Sequence, residues 1–212
     1  MKSSNVAGII LAAGKSRRMG RNKLLLPFEG NPLVQHVIDA AQASPLHPLV
    51  LVMAEHTPSL TNHINTGSCT PVFHDGTEYS DSLKAGLTAA SKRKCAGAMF
   101  LLGDQPLVTI DTITRLILAF QREPQRWVAP LWQGQRGNPV IAPRSWFDRI
   151  LTLSGDTGPR HYLKHPDARL KLVEVDDPGV IYDIDTPEDY HWLQGIKKLP
   201  TAKAIGSNST SV

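Results

Sequence analysis

Short apolar runs alternate along the chain with stretches whose apolar positions recur every three or four residues. The run VAGIIL at residues 6–11 is apolar throughout and predicts a strand buried on both faces. Similar runs at residues 49–53, 71–73 and 98–102 predict further strands. Residues 24–28 read as a short strand entering the turn Glu29-Gly30-Asn31-Pro32, and Pro32 suits the first turn of the following helix. Leu33, Val37, Ala40 and Ala41 then fall at helical spacing, as do Leu83, Leu87 and Ala90 within residues 82–90. Residues 109–120 form an amphipathic pattern, and residues 58–64, 145–153, 158–165 and 187–193 also read as helical. Residues 127–130 and 139–142 read as paired strands around a polar WQGQRGN excursion, with late strands at 170–175 and 180–182.

This alternation predicts an α/β fold: a Rossmann-like three-layer sandwich with a mostly parallel central sheet and right-handed crossovers. Ligands of such sheets sit outside the carboxyl ends of the strands. That rule directs attention to residues 12–23, 103–106 and 183–185. The expected organisation is a single domain over residues 1–196, with residues 197–212 (KLPTAKAIGSNSTSV and the lysine before it) too polar to pack and expected to be disordered.

Composition narrows the classes. The chain has 212 residues, 41% hydrophobic and 20% charged, as a folded soluble domain has. A net charge of +4 suits an anionic ligand. Aromatics are sparse and not interleaved with the basic residues, which argues against a nucleic-acid partner. No apolar run is long enough to span a bilayer, so no membrane partner is expected. The apolar run after Lys2 ends in Arg17-Arg18 and is read as a strand rather than a leader. Two cysteines, Cys69 and Cys95, form no CxxC pair, which fits reduced thiols and a cytoplasmic location.

Chemistry concentrates in three places. LAAGKSRRMGRNK crowds Lys15, Arg17, Arg18, Arg21 and Lys23 beside a turn containing Gly14 and Gly20. A P-loop would need glycine where Ile9 stands, and a GxGxxG fingerprint would need glycine at Ser16. What remains is a strand leading into a small-residue turn and a basic loop, a suitable cradle for phosphate. Asp104, in MFLLGDQP, follows an apolar strand and either caps the next segment or holds a cation. In YDIDTPEDY, Asp183 and Asp185 alternate across Ile184 and point the same way in extended chain. The same segment reads as a helix start, with Asp185 or Thr186 as the cap. Two further turns, GQRGNPV with Arg136 and Asn138, and SGDTGPR with Asp156, Gly158 and Arg160, suit a second anion or a purely structural role. His161 and His165 stand four apart but lack the glutamate of a zinc motif.

Taken together, LAAGKSRRMGRNKLLLPFEGNPLV, GDQP, RGNPV, GDTGPR and DIDTPEDY resemble, in order, the motifs of the nucleotidyltransferases that mature the molybdenum cofactor. The resemblance spans about residues 6–193 and implies the fold of the nucleotide-diphospho-sugar transferases. Relatives with LAGG tend to use GTP and those with LAAG tend to use CTP; Ala12-Ala13-Gly14 therefore points to the cytidylyltransferase branch. The resemblance implies transfer of CMP from CTP to the terminal phosphate of molybdopterin with release of pyrophosphate. It implies catalytic roles for Arg18, Lys23 and Asp104, and a nucleotide site at Leu11, Ala12, Ala13, Gly14, Lys23, Ser82 and Gly103. It places Arg136, Asn138, Asp156 and Arg160 on the pterin side, and Mg²⁺ on Asp104 and Asp185. Tyr79 and Asp81 depart from the glycine- and serine-rich form usual around Ser82. A guanylyltransferase on the same cofactor, a cytidylyltransferase for another small phosphate, and a non-catalytic carrier serving a client molybdoenzyme are the other readings.

Overall fold

The computed structural model of the chain describes residues 5–14, 16–55 and 58–196. In order it runs β1 (Val6–Leu11), a small hairpin of β2 (Pro27–Phe28) and β3 (Asn31–Pro32), α1 (Leu33–Gln42), β4 (Leu49–Ala54) and β5 (Thr70–His74). The chain continues through α2 (Tyr79–Ser91), β6 (Gly97–Leu102), α3 (Ile110–Arg122), β7 (Val128–Trp132), β8 (Gln135–Arg136) and β9 (Val140–Pro143). It closes with α4 (Phe147–Leu151), β10 (Lys171–Glu174) and α5 (Pro187–Ile196).

The main sheet has the order β10-β7-β9-β6-β1-β4-β5, with β8 beside β7. Strands β6, β1, β4 and β5 pair in parallel, as do β10 and β7. Only β9, between β6 and β7, and β8 run against the rest. The mostly parallel sandwich expected from the sequence is therefore the fold. Period-two alternation sorts the core into two layers. Ile10, Leu51 and Met53 face α1 and α3, packing on Val34, Ile38, Ile113 and Phe120. Ile9, Val50 and Val52 face the opposite way, toward Leu83 and Leu87 of α2 and Phe147 of α4. A β-carbon at Gly86 would lie 2.5 Å from Ile9 Cγ2, so glycine is what lets α2 approach the sheet this closely.

Several expected elements take other forms. Residues 24–28 divide into a 3₁₀ turn, Lys23–Leu25, and the two-residue β2. The segments Pro58–His63 and Pro159–Lys164 are 3₁₀ rather than α. Helix α2 begins three residues before the expected start, where the Asp81 carboxylate accepts a hydrogen bond from Glu78 N–H. Cys69 and Cys95 are both free and buried, and burial raises both thiol pKa values. No helix among the described residues is long and apolar enough to cross a membrane. The expected tail, residues 197–212, lies outside the described residues.

The expected strand at 180–182 is a correction: Pro178–Val180 is a 3₁₀ turn. Its backbone partners explain why. Val180 C=O accepts from Asn138 N–H at 2.8 Å, and the buried Asp177 carboxylate fixes the turn from the other side. Asp177 accepts from Gly179 N–H, Thr109 N–H, Thr109 Oγ1 and Thr112 Oγ1, at 2.6–2.9 Å. Asp177→Ala strands these donors in the interior. The expected cost is about 3 kcal/mol. That should lower the thermal midpoint by about 6–10 °C, read in a melting scan.

Candidate active site

The carboxyl ends of β1 and β6 build the site. After β1 the backbone stays tied to the sheet, with Ala12 N–H donating to Val52 C=O and Gly103 N–H to Leu11 C=O. Above Gly14 the space is open: an added β-carbon would meet no described atom within 4 Å. Ser16 takes a left-handed conformation (φ 47°) and its hydroxyl accepts from Lys23 N–H at 3.0 Å, which folds the loop back over the strand ends. Asn22 then caps the turn that carries Lys23, accepting from Leu24 N–H at 3.1 Å. The Lys23 side chain is thereby buried at the cavity floor.

The acidic segments meet it there. Asp104 follows β6 directly, and its C=O accepts from Ile184 N–H at 3.0 Å, which docks residues 183–185 against it. The cap of α5 is settled by geometry. Thr186 Oγ1 accepts from Asp189 N–H, while the Asp189 carboxylate accepts from Asp185 and Thr186 N–H. Thr186 and Asp189 thus satisfy the helix start reciprocally, and the Asp185 carboxylate is left for the cavity. Lys23 Nζ donates to Asp104 Oδ2 at 2.5 Å and to Asp185 Oδ1 at 2.6 Å. Arg18 Nη1 reaches Asp185 Oδ2 at 3.1 Å. The other Asp104 oxygen, Oδ1, is buried without a partner among the described residues.

Charge is redistributed accordingly. Burial opposes the Lys23 ammonium, but the Asp104 and Asp185 carboxylates outweigh it and hold its pKa above the ordinary lysine value. The hydrogen bond from Lys23, against some desolvation, holds the Asp185 carboxyl below its ordinary value. Asp183 moves the other way, raised first by desolvation and then by the Asp104 charge. Its side chain still reaches solvent. Its ionised form is therefore mildly unfavourable in the fold at neutral pH. Asp183→Asn should raise the thermal midpoint of the ligand-free protein by about 1–2 °C at pH 7. That gain should vanish as pH falls and the wild-type carboxyl takes up its proton.

A cavity of about 700 Å³ opens from this floor. Leu11, Ala13, Gly14, Arg18 and Ser82 line it with Lys23, Asp104 and Asp185. Asn138, Asp156 and Arg160 line its far side, where Arg160 Nε donates to Asn138 Oδ1 at 3.3 Å. The structure therefore brings most of the expected residues to one place. Ala12 and Gly103 sit behind the wall, where their backbones hold the strand ends. Arg136 does not line the cavity: it is exposed on β8, paired with Leu131. Sequence reading assigned no role to His74, whose Nε2 lies 3.0 Å from Ser82 Oγ, or to Glu78 and Tyr79 on the same rim. For Glu78 and Tyr79 the spacing Glu78-x-x-Asp81 was the available signal, since it marks the start of α2; His74, at the end of β5, had none.

Comparison with known proteins agrees with this geometry. A model of the MobA-like NTP transferase domain matches residues 8–172. Purine catabolism protein PucB of Bacillus subtilis is 32% identical over 92% of this chain and 98% of its own length. Molybdenum cofactor cytidylyltransferase of Escherichia coli is 30% identical over 86% of this chain and 92% of its own. Among solved structures, Rv0371c of Mycobacterium tuberculosis superposes with a TM-score of 0.81 at 26% identity, covering 90% of this chain and 98% of that one. A manganese complex of Rv0371C superposes at 0.77 with 25% identity, over 90% and 98% of the two chains. The chain belongs to the MobA-like NTP transferase family and is a nucleotidyltransferase.

Proposed function

We propose that the protein is a cytoplasmic cytidylyltransferase that transfers CMP from CTP to the terminal phosphate of molybdopterin, yielding the cytosine dinucleotide form of the cofactor and pyrophosphate. The observation that carries this reading is the meeting of Asp104 and Asp185, from distant parts of the chain, on one cationic point below the open turn at Gly14. No group of three or more His, Cys, Asp or Glu able to hold a metal occurs among the described residues. Mg²⁺ needs fewer, because it takes one or two carboxylates together with substrate phosphates. The orphaned Asp104 Oδ1 and the pair with Asp185 fit that demand. The manganese found with Rv0371C supports a divalent ion here. Asp104 and Asp185 would hold Mg²⁺, which would supply Lewis-acid withdrawal of charge from the α-phosphorus.

The chain's own residues do the rest. Residues 11–14 offer backbone to the nucleotide, and the Ala13 methyl narrows the pocket in a way that suits a pyrimidine. Lys23 and Arg18 neutralise the triphosphate and departing pyrophosphate. The acceptor phosphate is already ionised, so catalysis is positioning and charge neutralisation without a general base. Asn138, Asp156 and Arg160 face the acceptor. The likeness to the Escherichia coli cytidylyltransferase supports molybdopterin as that acceptor. Delivery of the product to a client molybdoenzyme is compatible with the same site.

The test is pyrophosphate release from molybdopterin with each of the four nucleoside triphosphates. CTP should be preferred over GTP by about 10-fold or more, within what one methyl group can discriminate. EDTA should stop the reaction. Preference for GTP would make the protein a guanylyltransferase. Cofactor binding without pyrophosphate release would make it a carrier.

A further inference from the structure

Tyr79 stands at the junction of the two halves of the cavity. It is the first residue of α2, one turn before Ser82, so it begins the helix on the nucleotide side. Its ring lies against Gly158 on the acceptor side, where an added β-carbon would come within 2.6 Å of Tyr79 Cε1. Glycine in SGDTGPR is thus the space that the tyrosine ring occupies.

A clasp between the two rims holds the ring there. Tyr79 N–H donates to Asp156 Oδ1 at 3.3 Å, Ser80 N–H to Gly155 C=O at 3.2 Å, and Gly155 N–H to the Glu78 carboxylate at 2.6 Å. The side chain is largely buried yet lines the cavity, and its hydroxyl makes no hydrogen bond to a described residue. Arg160 on the acceptor side and Asp104 on the acidic floor line the same cavity as the ring. Burial pushes its pKa well up, so the group is a neutral donor at any physiological pH.

We infer that Tyr79 is a further catalytic residue, whose hydroxyl donates a hydrogen bond to the terminal phosphate of the acceptor as that phosphate attacks the α-phosphorus. This rests on the nucleotidyl transfer to molybdopterin proposed above. An acceptor phosphate oxygen forms the new P–O bond. The bond from the α-phosphorus to its bridging oxygen breaks, and its electron pair leaves with pyrophosphate. Tyr79 keeps its proton throughout. It fixes the direction of attack.

Tyr79→Phe keeps the ring on Gly158 and removes only the donor. With CTP, Mg²⁺ and molybdopterin, kcat should fall about 10- to 100-fold. The CTP-induced thermal shift and the melting point of the free protein should match wild type, which separates a lost donor from a damaged fold. A kcat within two-fold of wild type overturns the inference. So does a loss of CTP affinity proportional to the loss of rate, which would move Tyr79 into the nucleotide site. If wild type itself fails to use molybdopterin with any of the four nucleotides, the proposed function falls and this inference with it.

Discussion

Asp104→Ala should lower nucleotidyl transfer by about 10³-fold or more while leaving the fold intact. The two halves of that expectation have separate causes. Catalytically, Asp104 stands two residues past the end of core strand β6, next to Gly103 whose N–H is bonded to Leu11 C=O, so its place is fixed by the sheet. Removing it leaves Lys23 bonded to Asp185 and takes away Oδ1, the buried oxygen without a partner among the described residues. Structurally, little is lost. The bond that docks residues 183–185 uses the Asp104 backbone carbonyl, which alanine retains. Lys23 keeps its bond to Asp185 at 2.6 Å. The stability change should stay within about 1 kcal/mol, as for partly solvated pairs. Pyrophosphate release and a melting scan on the same preparation read both halves. Turnover within ten-fold of wild type, with a divalent ion still required, would remove Asp104 from the metal site.

Parts of the site were legible in the sequence because they obey local rules. A continuous apolar run followed by a polar break marks a buried parallel strand and its carboxyl end, so β1 with residues 12–23 and β6 with Asp104 stood out at once. The return of residues 183–185 to the same point is long-range: the alternation across the buried Ile184 put the two carboxylates on one side, and only the family resemblance joined Asp185 to Asp104. What escaped depends on partners far along the chain. The strand expected at 180–182 is apolar enough, but Val180 C=O is taken by Asn138 and the turn by Asp177. Arg136 looked like a site residue by its glycine neighbours, but it sits exposed on β8, paired with β7, and is not part of the cavity lining. The pairing of residues 127–130 with 139–142 was legible as two strands around a polar excursion, and β7 and β9 do pair; the insertion of β9 between β7 and β6 was not, because a four-residue buried run does not announce its second neighbour. Tyr79 escaped for the same reason: its role comes from a ring resting on Gly158, and neither residue announces the other.

Lys23→Met should act on catalysis and on metal binding in opposite directions. The Lys23 ammonium lies at 2.5 and 2.6 Å from the two carboxylates proposed to hold the ion. A divalent cation arriving alone must displace a buried, hydrogen-bonded ammonium. A cation arriving with a triphosphate offers that ammonium new oxygens. The neutral methionine fills the same volume without competing, so Mn²⁺ alone should bind the variant about 10-fold tighter than wild type, measured by the electron paramagnetic resonance of free Mn²⁺. Transfer should nevertheless fall about 100-fold or more, because the charge that meets the triphosphate is gone. Without metal, the variant leaves Asp104 and Asp185 without the ammonium, and Asp185 keeps its contact with the exposed Arg18. Its stability should drop by about 1–3 kcal/mol, less than for a fully buried broken pair. The pH dependence has a definite sign. In wild type the Asp185 carboxyl is depressed from its ordinary 3.8, so its contribution is complete above that pH and lost as pH falls through the depressed value. The raised Lys23 pKa keeps the ammonium charged until pH passes its ordinary 10.5 and beyond. The melting-point gap between wild type and Lys23→Met should therefore be full at pH 7 and shrink below about pH 4, and Mn²⁺ at pH 7 should close part of it. An Mn²⁺ affinity no greater in the variant than in wild type would mean that the ammonium and the metal never compete for these carboxylates, and the ion would have to be sought elsewhere.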